Sequence, residues 1–244
     1  TPAAAQSEAW TVLGANQGDH LGHALASAGD RDDDGVNDLL VGSPESDIAG
    51  PASGQVTLLS SASGAILLQL SGLSTGDRAG RSVAALGDIN GDGIPDLAYG
   101  APTRSVSGPQ MGAVYVASGS DGSLLLSYEG STPYGVFGYA IANAGDLDGD
   151  GRDDLLIGAP NEDPNGQDSG AVYAFSTGSQ HCPALHTLDG ANPGDRFGPS
   201  ALPVGDTNPD GIPHVPLRRP DQTAAGAPTQ RRLPHHPRAH LCPP

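Results

Sequence analysis

Residues 76–102 read GDRAGRSVAALGDINGDGIPDLAYGAP, and closely similar stretches begin at Gly18, Tyr134 and Gly194 of the 244-residue chain. The first aspartate of the acidic cluster in each copy stands at position 30, 88, 146 or 206, which gives spacings of 58, 58 and 60 residues. A fixed period of this length is typical of proteins in which small repeated units stack on one another. The chain is therefore expected to contain four copies of one structural unit.

Each copy reads as four short strands. In the third copy, Phe137–Ala144 alternates between apolar and polar residues, Asp154–Gly158 is a compact apolar run, Gly170–Phe175 is rich in β-formers, and Leu185–Leu188 ends before an Asp-Gly turn. A unit of four short strands and about 58 residues has the size of one blade of a β-propeller. The pattern predicts an all-β propeller fold with blades of four short antiparallel strands.

Two short motifs recur in these copies. A Phe-Gly element is present at Phe137-Gly138 and Phe197-Gly198, with Leu21-Gly22 and Ala79-Gly80 in its place in the first two copies. A Gly-Ala-Pro element is present at Gly100-Ala101-Pro102 and Gly158-Ala159-Pro160, with Gly42-Ser43-Pro44 as a variant. The chain thus resembles the FG-GAP repeat of integrin α-chains, of a glycosylphosphatidylinositol-specific phospholipase and of many bacterial secreted or surface proteins. The resemblance implies a seven-bladed propeller, which would need about 406 residues, so a partial propeller is expected here.

The repeat period also predicts how the chain is divided. Trp10–Gly14 matches the last strand of the third copy, so the chain is expected to begin partway through a blade. Such an incomplete blade predicts an open edge that promotes self-association. The predicted segments are 1–17 (closing strand of an incomplete blade), 18–75, 76–133 and 134–191 (three repeats), 192–212 (start of a fourth repeat) and 213–244 (tail).

The acidic clusters of the first three copies share the pattern D-x-[DN]-x-D-G-x-x-D. Carboxylates at alternate positions converge on one point only if the chain turns sharply, and the glycine at position 6 permits that turn. Positions 1, 3, 5 and 9 then offer side-chain oxygens and position 7 a backbone carbonyl, which is a ligand set that Ca²⁺ prefers to Mg²⁺. The predicted calcium ligands are Asp30, Asp32, Asp34, Val36 and Asp38; Asp88, Asn90, Asp92, Ile94 and Asp96; and Asp146, Asp148, Asp150, Arg152 and Asp154.

Such clusters have two other interpretations, and the sequence excludes the first of them, an EF-hand. An EF-hand requires a glutamate at position 12 and flanking helices, whereas position 12 falls here in strand-like sequence. Solvated Asp-Gly turns are the simpler alternative, although three clusters in register favour a site. A fourth cluster with Asp206, Asn208 and Asp210 ends in His214 instead of an aspartate, which makes it a doubtful calcium site because a neutral imidazole is a poor ligand for a hard cation.

The repeat pattern is lost in the middle of the fourth motif. Residues 213–244 contain 8 Pro, 5 Arg and 4 His, a composition without strand period or apolar reserve that predicts disorder. We interpret the abrupt change as a shift of reading frame; a metal-binding tract of His235, His236, His240 and Cys242 is the alternative. A disulfide between Cys182 and Cys242 is left open.

Charge and composition limit the classes of partner that the chain is expected to bind. The net charge is −17, all eleven cations are Arg, and residues 1–212 carry 27 acidic residues against 6 Arg. An acidic surface disfavours nucleic acid and anionic lipid and favours a hard cation, and the sequence lacks an apolar run long enough for a membrane helix. No nucleophile, base and orienting group recur together, so no catalytic residue is predicted. The resemblance implies an extracellular, secreted or cell-surface module that binds protein or glycan in cell adhesion; the alternative is a non-catalytic part of a larger secreted hydrolase such as a phospholipase.

Overall fold

The computed structural model describes residues 10–178 and 184–200, and these residues form twelve β-strands and no helix. The fourth acidic cluster, the 213–244 tail and both cysteines lie outside the described residues. The strands are β1 (Ala24–Gly29), β2 (Asp38–Ser43), β3 (Gln55–Leu59), β4 (Ile66–Ser71), β5 (Ser82–Ala85), β6 (Leu97–Ala101), β7 (Ala113–Ala117), β8 (Leu124–Glu129), β9 (Ala140–Gly145), β10 (Asp154–Ala159), β11 (Ala171–Phe175) and β12 (His186–Asp189).

The twelve strands form three sheets of four. Each sheet consists of consecutive strands that pair antiparallel in chain order: β1–β4, β5–β8 and β9–β12. In the first sheet, Leu40 of β2 lies opposite Ala26 of β1 on one side and Leu58 of β3 on the other. This up-and-down arrangement is that of a propeller blade. The predicted all-β fold with four-stranded blades is therefore confirmed, and the three described blades do not close into a ring, as expected for a partial propeller.

The core lies between neighbouring blades. Leu40, Val56 and Leu58 of the first blade pack against Leu97 and Tyr99 of the second. The opposite face of the second blade packs in the same way against the third, through a cluster that includes Val114, Val116, Tyr128, Phe137, Leu155 and Ile157. Because the middle strands are covered on both faces, they read as continuous apolar runs in the sequence. The first strand of the second blade, β5, also contacts the first strands of the other two, β1 and β9, and these strands form the inner edge of the stack.

The two glycine-containing motifs form the contact between one blade and the next. Within the third blade, the N–H of Gly138 donates to the carbonyl of Gly158 at 3.1 Å. The carbonyl of Gly138 in turn faces Gly100 of the second blade so closely that a Cβ atom on Gly100 would collide with its oxygen. Gly138 has a φ of +84°, which lets its backbone turn into this contact. Gly42 faces Gly80 in the same way, and the motifs therefore recur because two backbones must touch at each blade boundary.

The segment before the first blade lies against that blade as the last strand of one blade lies against the next, but it does not form a strand. Trp10 stands 58 residues before Leu68 of β4, and both pack against an outer turn: Trp10 against Gly64 of the first blade and Leu68 near Gly122 of the second. The Trp10 indole N–H also donates to the Ser61 carbonyl at 2.7 Å. Residues 10–17 are not part of any strand, although the sequence predicts a closing strand here. A closing strand pairs with the third strand of its own blade. Among the described residues before β1 there is no third strand with which residues 10–17 could pair.

Three side chains at equivalent repeat positions connect the inner ends of the blades. His23, Arg81 and Tyr139 each follow the glycine of the Phe-Gly element. Arg81 Nη1 lies 2.6 Å from His23 Nε2, and the Arg81 guanidinium lies 4.2 Å from the centre of the Tyr139 ring. Burial lowers the pKa of His23 below its usual value of 6.5, and the charges of Arg81 and His20 lower it further. The folded protein therefore favours the neutral imidazole at this position.

We expect the contribution of His23 to stability to fall as the pH falls. Because the pKa of His23 is lower in the folded chain than in the unfolded chain, this contribution is fully present above pH 6.5 and is lost as the pH drops through the folded pKa. The melting temperature of the wild type minus that of His23→Asn should shrink between pH 7.5 and pH 5 when measured by calorimetry. A difference that stays constant over this range would contradict the prediction.

Candidate metal sites

The three acidic loops occupy the same place in each blade. They connect the first strand to the second: β1 to β2, β5 to β6, and β9 to β10. The aspartate at position 9 of each loop then stands at the start of the second strand and reaches the turn that follows the third. Asp38 Oδ1 accepts a hydrogen bond from Ser61 N at 3.0 Å, and Asp96 Oδ1 accepts one from Gly119 N at 3.0 Å. Each acidic loop is therefore fixed to the outer turn of its own blade.

The position 9 aspartates are buried and fully engaged by the backbone. Asp38, Asp96 and Asp154 are at most 1% exposed. Their second carboxylate oxygens accept hydrogen bonds from the residue at position 2 of the same loop, at 2.8 Å from Arg31 N, 2.8 Å from Ile89 N and 2.7 Å from Leu147 N. These predicted ligands thus also hold the loop in shape, since a buried carboxylate needs such donors.

The position 1 aspartates organise the turn. In each loop, one oxygen of this aspartate accepts a hydrogen bond from the N–H of the position 6 glycine. These glycines, Gly35, Gly93 and Gly151, have φ values of +89°, +88° and +89°. Residues other than glycine rarely adopt this backbone conformation. The structure therefore contains the sharp turn that the D-x-[DN]-x-D-G pattern predicts.

Carboxylates converge in the first and third loops. Oxygen atoms of Asp30, Asp32 and Asp38 lie within 4.8 Å of one another, and so do those of Asp146, Asp148 and Asp154. Two oxygens bound to one Ca²⁺ at 2.3–2.6 Å are separated by at most about 5 Å, so both groups have the spacing that a single cation requires. The donor set, made only of oxygen atoms, also suits this ion. The residues at positions 1, 3 and 9 of these two loops therefore fit a calcium ion.

The remaining predicted ligands lie on the exposed side of the same loops. The position 5 carboxylates of Asp34 and Asp150 accept hydrogen bonds from the position 7 N–H groups of Val36 and Arg152 at 2.8 and 2.9 Å. The Val36 side chain is 44% exposed. Because the apolar side chain of Val36 has no ligand atom, this residue would bind a metal ion through its backbone carbonyl.

The second loop has a different internal arrangement. Its position 3 residue, Asn90, donates through Nδ2 to Asp92 Oδ2 at 3.0 Å and accepts from Asp92 N at 2.8 Å. Asp92 also accepts hydrogen bonds from the hydroxyls of Ser118 and Ser120, at 3.3 and 3.0 Å. Ile94, at position 7, is 39% exposed and donates its N–H to Asp92. In this loop the position 5 carboxylate is thus oriented towards the outer turn.

Burial affects the acidity of the deepest carboxylates. It raises the pKa of Asp154 to about 7, and the neighbouring charges of Asp148 and Asp150 raise it further against the hydrogen bonds from Leu147 and Thr177. Burial also raises the pKa of Asp96. A bound cation would counteract this effect, because a nearby positive charge favours the ionised carboxylate.

Two features of these sites were not predicted from the sequence. One is Ser118, whose hydroxyl donates to Asp92; Ser60 and Ser176 stand 58 residues before and after it, and this periodicity could have pointed to it. The other is Arg31, at position 2 of the first loop, where the second and third loops have Ile89 and Leu147. An arginine at a position that is otherwise apolar is visible in the aligned repeats, but its location at the boundary between two blades is not.

The fold and the loops define a β-propeller module with acidic loops between the first and second strands of its blades. Comparison with known proteins supplies the family: residues 79–117 and 137–175 match the model of the FG-GAP repeat. The chain thus contains FG-GAP repeats, as the motifs predict. The part of the chain that the structure describes contains no helix long and apolar enough to cross a membrane.

The relatives of this chain are longer proteins. The chain is 34% identical to integrin alpha-4 of Xenopus laevis over 164 residues, which cover 65% of this chain and 15% of the relative. It is 32% identical to integrin alpha pat-2 of Caenorhabditis elegans over 232 residues (84% and 18%). It is 36% identical to phosphatidylinositol-glycan-specific phospholipase D of Bos taurus over 185 residues (66% and 21%). The chain therefore spans about a fifth or less of these three relatives.

Proposed function

We propose that the protein is an extracellular, calcium-binding β-propeller module. The observation that carries this proposal is the convergence of three carboxylates within 4.8 Å in both the first and the third acidic loop. Carboxylates this close repel each other by roughly 4 kcal/mol per pair at an effective dielectric constant near 20, so a divalent cation would relieve a large unfavourable term. Calcium would be held by the side-chain oxygens at positions 1, 3, 5 and 9 and the carbonyl at position 7, and its positive charge would offset the repulsion among these carboxylates.

We expect metal-free protein to take up about three equivalents of Ca²⁺. If each dissociation constant is ~0.1–1 mM, as is usual for extracellular modules, free calcium at one to ten times that value stabilises the fold by about 0.4–1.4 kcal/mol per site. Isothermal titration calorimetry counts the sites, and differential scanning calorimetry should show a higher melting temperature with calcium.

A matched pair of variants locates the uptake. The double change Asp146→Asn with Asp148→Asn should remove one equivalent. The change Asp121→Asn alters an exposed turn aspartate of the second blade, outside the acidic loops, and should leave the count unchanged. Absence of calcium uptake by the wild type, or an equal loss in both variants, would overturn the assignment.

We further propose that the loops at the ends of the blades bind a protein or glycan ligand in adhesion, without catalysis. The similarity to integrin α-chains supports this proposal. Immobilised extracellular proteins and glycans can be probed with the labelled chain in calcium and in chelator. Binding that requires calcium is the expected result, and no binding in either buffer would contradict it.

A second candidate function is that of a non-catalytic part of a larger secreted hydrolase. The identity of 36% to a phospholipase D supports this alternative. The gene sequence on either side of the chain distinguishes the two. An adjoining hydrolase domain would favour the second function, whereas further repeats or a surface anchor would favour the first.

A further inference from the structure

Arg31 introduces a positive charge at the boundary between the first two blades. Its counterparts at position 2 of the other loops are apolar: Ile89 packs into the core between the second and third blades, and Leu147 packs against the core of the third. The guanidinium of Arg31 is also directed inward. Its three nitrogen atoms are buried and have no hydrogen-bond partner among the described residues. An arginine thus occupies a position that the fold otherwise fills with an aliphatic side chain.

Arg31 belongs to the first acidic loop, but its guanidinium lies against the outer turn of the second blade. A Cβ atom on Gly119, in the outer turn of the second blade, would lie 2.5 and 2.7 Å from Nη2 and Nη1 of Arg31. The N–H of the same glycine donates to Asp96, the position 9 aspartate of the second loop. Burial lowers the pKa of Arg31, and the negative charges of Asp96, Asp38 and Asp92, in decreasing order, raise it. Two of these three belong to the second loop.

The second loop also carries the smallest negative charge. Its nine residues include three aspartates, Asp88, Asp92 and Asp96, and no cation of their own. The nine residues of the third loop include five aspartates and one arginine, Arg152, so that their net charge is −4 against −3. Because arginine remains protonated at all physiological pH values, Arg31 adds a permanent positive charge beside the loop that can least compensate for it.

We propose that Arg31 sets the order in which the acidic loops take up calcium, by lowering the affinity of the second loop so that it fills after the third. This inference rests on the proposed calcium binding. Arg31 acts as a specificity-determining residue through its charge, across the blade boundary, without itself being a ligand. The second loop already has the neutral Asn90 where the others have Asp32 and Asp148, and the charge from the neighbouring blade lowers its affinity further.

Site-resolved titration tests the proposal. The backbone amides of Gly93 and Gly151, at position 6 of the second and third loops, can be followed by ¹H–¹⁵N NMR during addition of CaCl₂ to the metal-free chain. In the wild type, the Gly151 signal should reach its midpoint at lower calcium than Gly93. In Arg31→Leu, which installs the residue type of the third loop, the Gly93 midpoint should fall about three- to tenfold and that of Gly151 should not move.

Three further variants distinguish charge from packing. Arg31→Lys keeps the charge and should retain the wild-type midpoint of Gly93. Arg78→Leu removes an exposed arginine paired with Glu45 and should also leave it unchanged. Arg31→Gln removes the charge with a polar side chain and should act as Arg31→Leu does, which preserves the test if the leucine variant does not fold.

The possible failures are distinguishable. If none of these glycine signals responds to calcium in the wild type, the proposed calcium function itself is overturned, and this inference with it. If both signals respond but Gly93 has the same midpoint in the wild type, Arg31→Leu and Arg31→Gln, calcium binding stands and the role of Arg31 is wrong. An equal shift in Arg78→Leu would likewise overturn it, because net charge alone would then explain the effect.

Discussion

Replacing Gly100 by alanine should lower the free energy of unfolding by about 3 kcal/mol. Gly100 is a buried residue of β6, and a Cβ atom there would collide with the carbonyl of Gly138 in the next blade. That neighbour is backbone and belongs to another blade, so it cannot move aside as a flexible side chain would. For a chain of this size the melting temperature should drop by roughly 6–12 °C in differential scanning calorimetry.

Gly14→Ala provides the control for this substitution. The nearest atoms to a Cβ on Gly14 lie 3.6 Å away, which is ordinary contact, and its φ is not in the left-handed region. Its effect should stay within about 0.5 kcal/mol. If the two variants melt alike, the glycine contact between blades does not have the stabilising role that we assign to it.

Replacing Asp96 by alanine should lower the free energy of unfolding by about 3–5 kcal/mol, even in the presence of a chelator. The carboxylate is 0% exposed and accepts hydrogen bonds from Ile89 N, Asn90 N and Gly119 N at 2.8, 3.3 and 3.0 Å. Alanine would leave these donors without their acceptor, at about 1–3 kcal/mol for each group that stays buried. Because burial raises the pKa of Asp96, part of this loss is offset by removal of a poorly solvated charge. Urea unfolding in EDTA measures the difference.

Asp121→Ala is the matched control within the same blade. This aspartate is exposed, and its one backbone donor is the neighbouring Ser123 N at 2.8 Å. We expect a change below about 1 kcal/mol. With calcium present, Asp96→Ala should also take up one equivalent less than the wild type. Equal stability of the two variants in EDTA would mean that Asp96 does not anchor the loop.

The sequence predicts the middle strands of a blade better than its ends. The apolar run Asp154–Gly158 differs by one residue from β10 (Asp154–Ala159), because a strand covered on both faces leaves an unbroken apolar signal. The first strand was predicted over Phe137–Ala144, whereas β9 spans Ala140–Gly145. Phe137 instead forms an isolated bridge with Gly112 of the preceding blade. A contact between blades cannot be read from the pattern of a single repeat.

The same distinction holds for the acidic loops. Their turn geometry, and the convergence of positions 1, 3 and 9 in the first and third loops, follow from local spacing and one glycine. The different arrangement around Asp92 involves the hydroxyls of Ser118 and Ser120, which belong to a turn more than twenty residues further along the chain. The surroundings of the Arg31 guanidinium are likewise formed by a second blade. Local pattern therefore predicts the ligands, whereas tertiary neighbours determine how the three loops differ.

The glycine contact at the blade boundary involves main-chain atoms on both sides. Its glycines, such as Gly80 and Gly138, are constant, whereas the residue before them varies from Ala79 to Phe137. An interlocking surface that does not depend on side chains makes blades interchangeable, because any copy can follow any other. Tandem duplication of a gene segment could then lengthen or shorten the array without a new interface having to evolve.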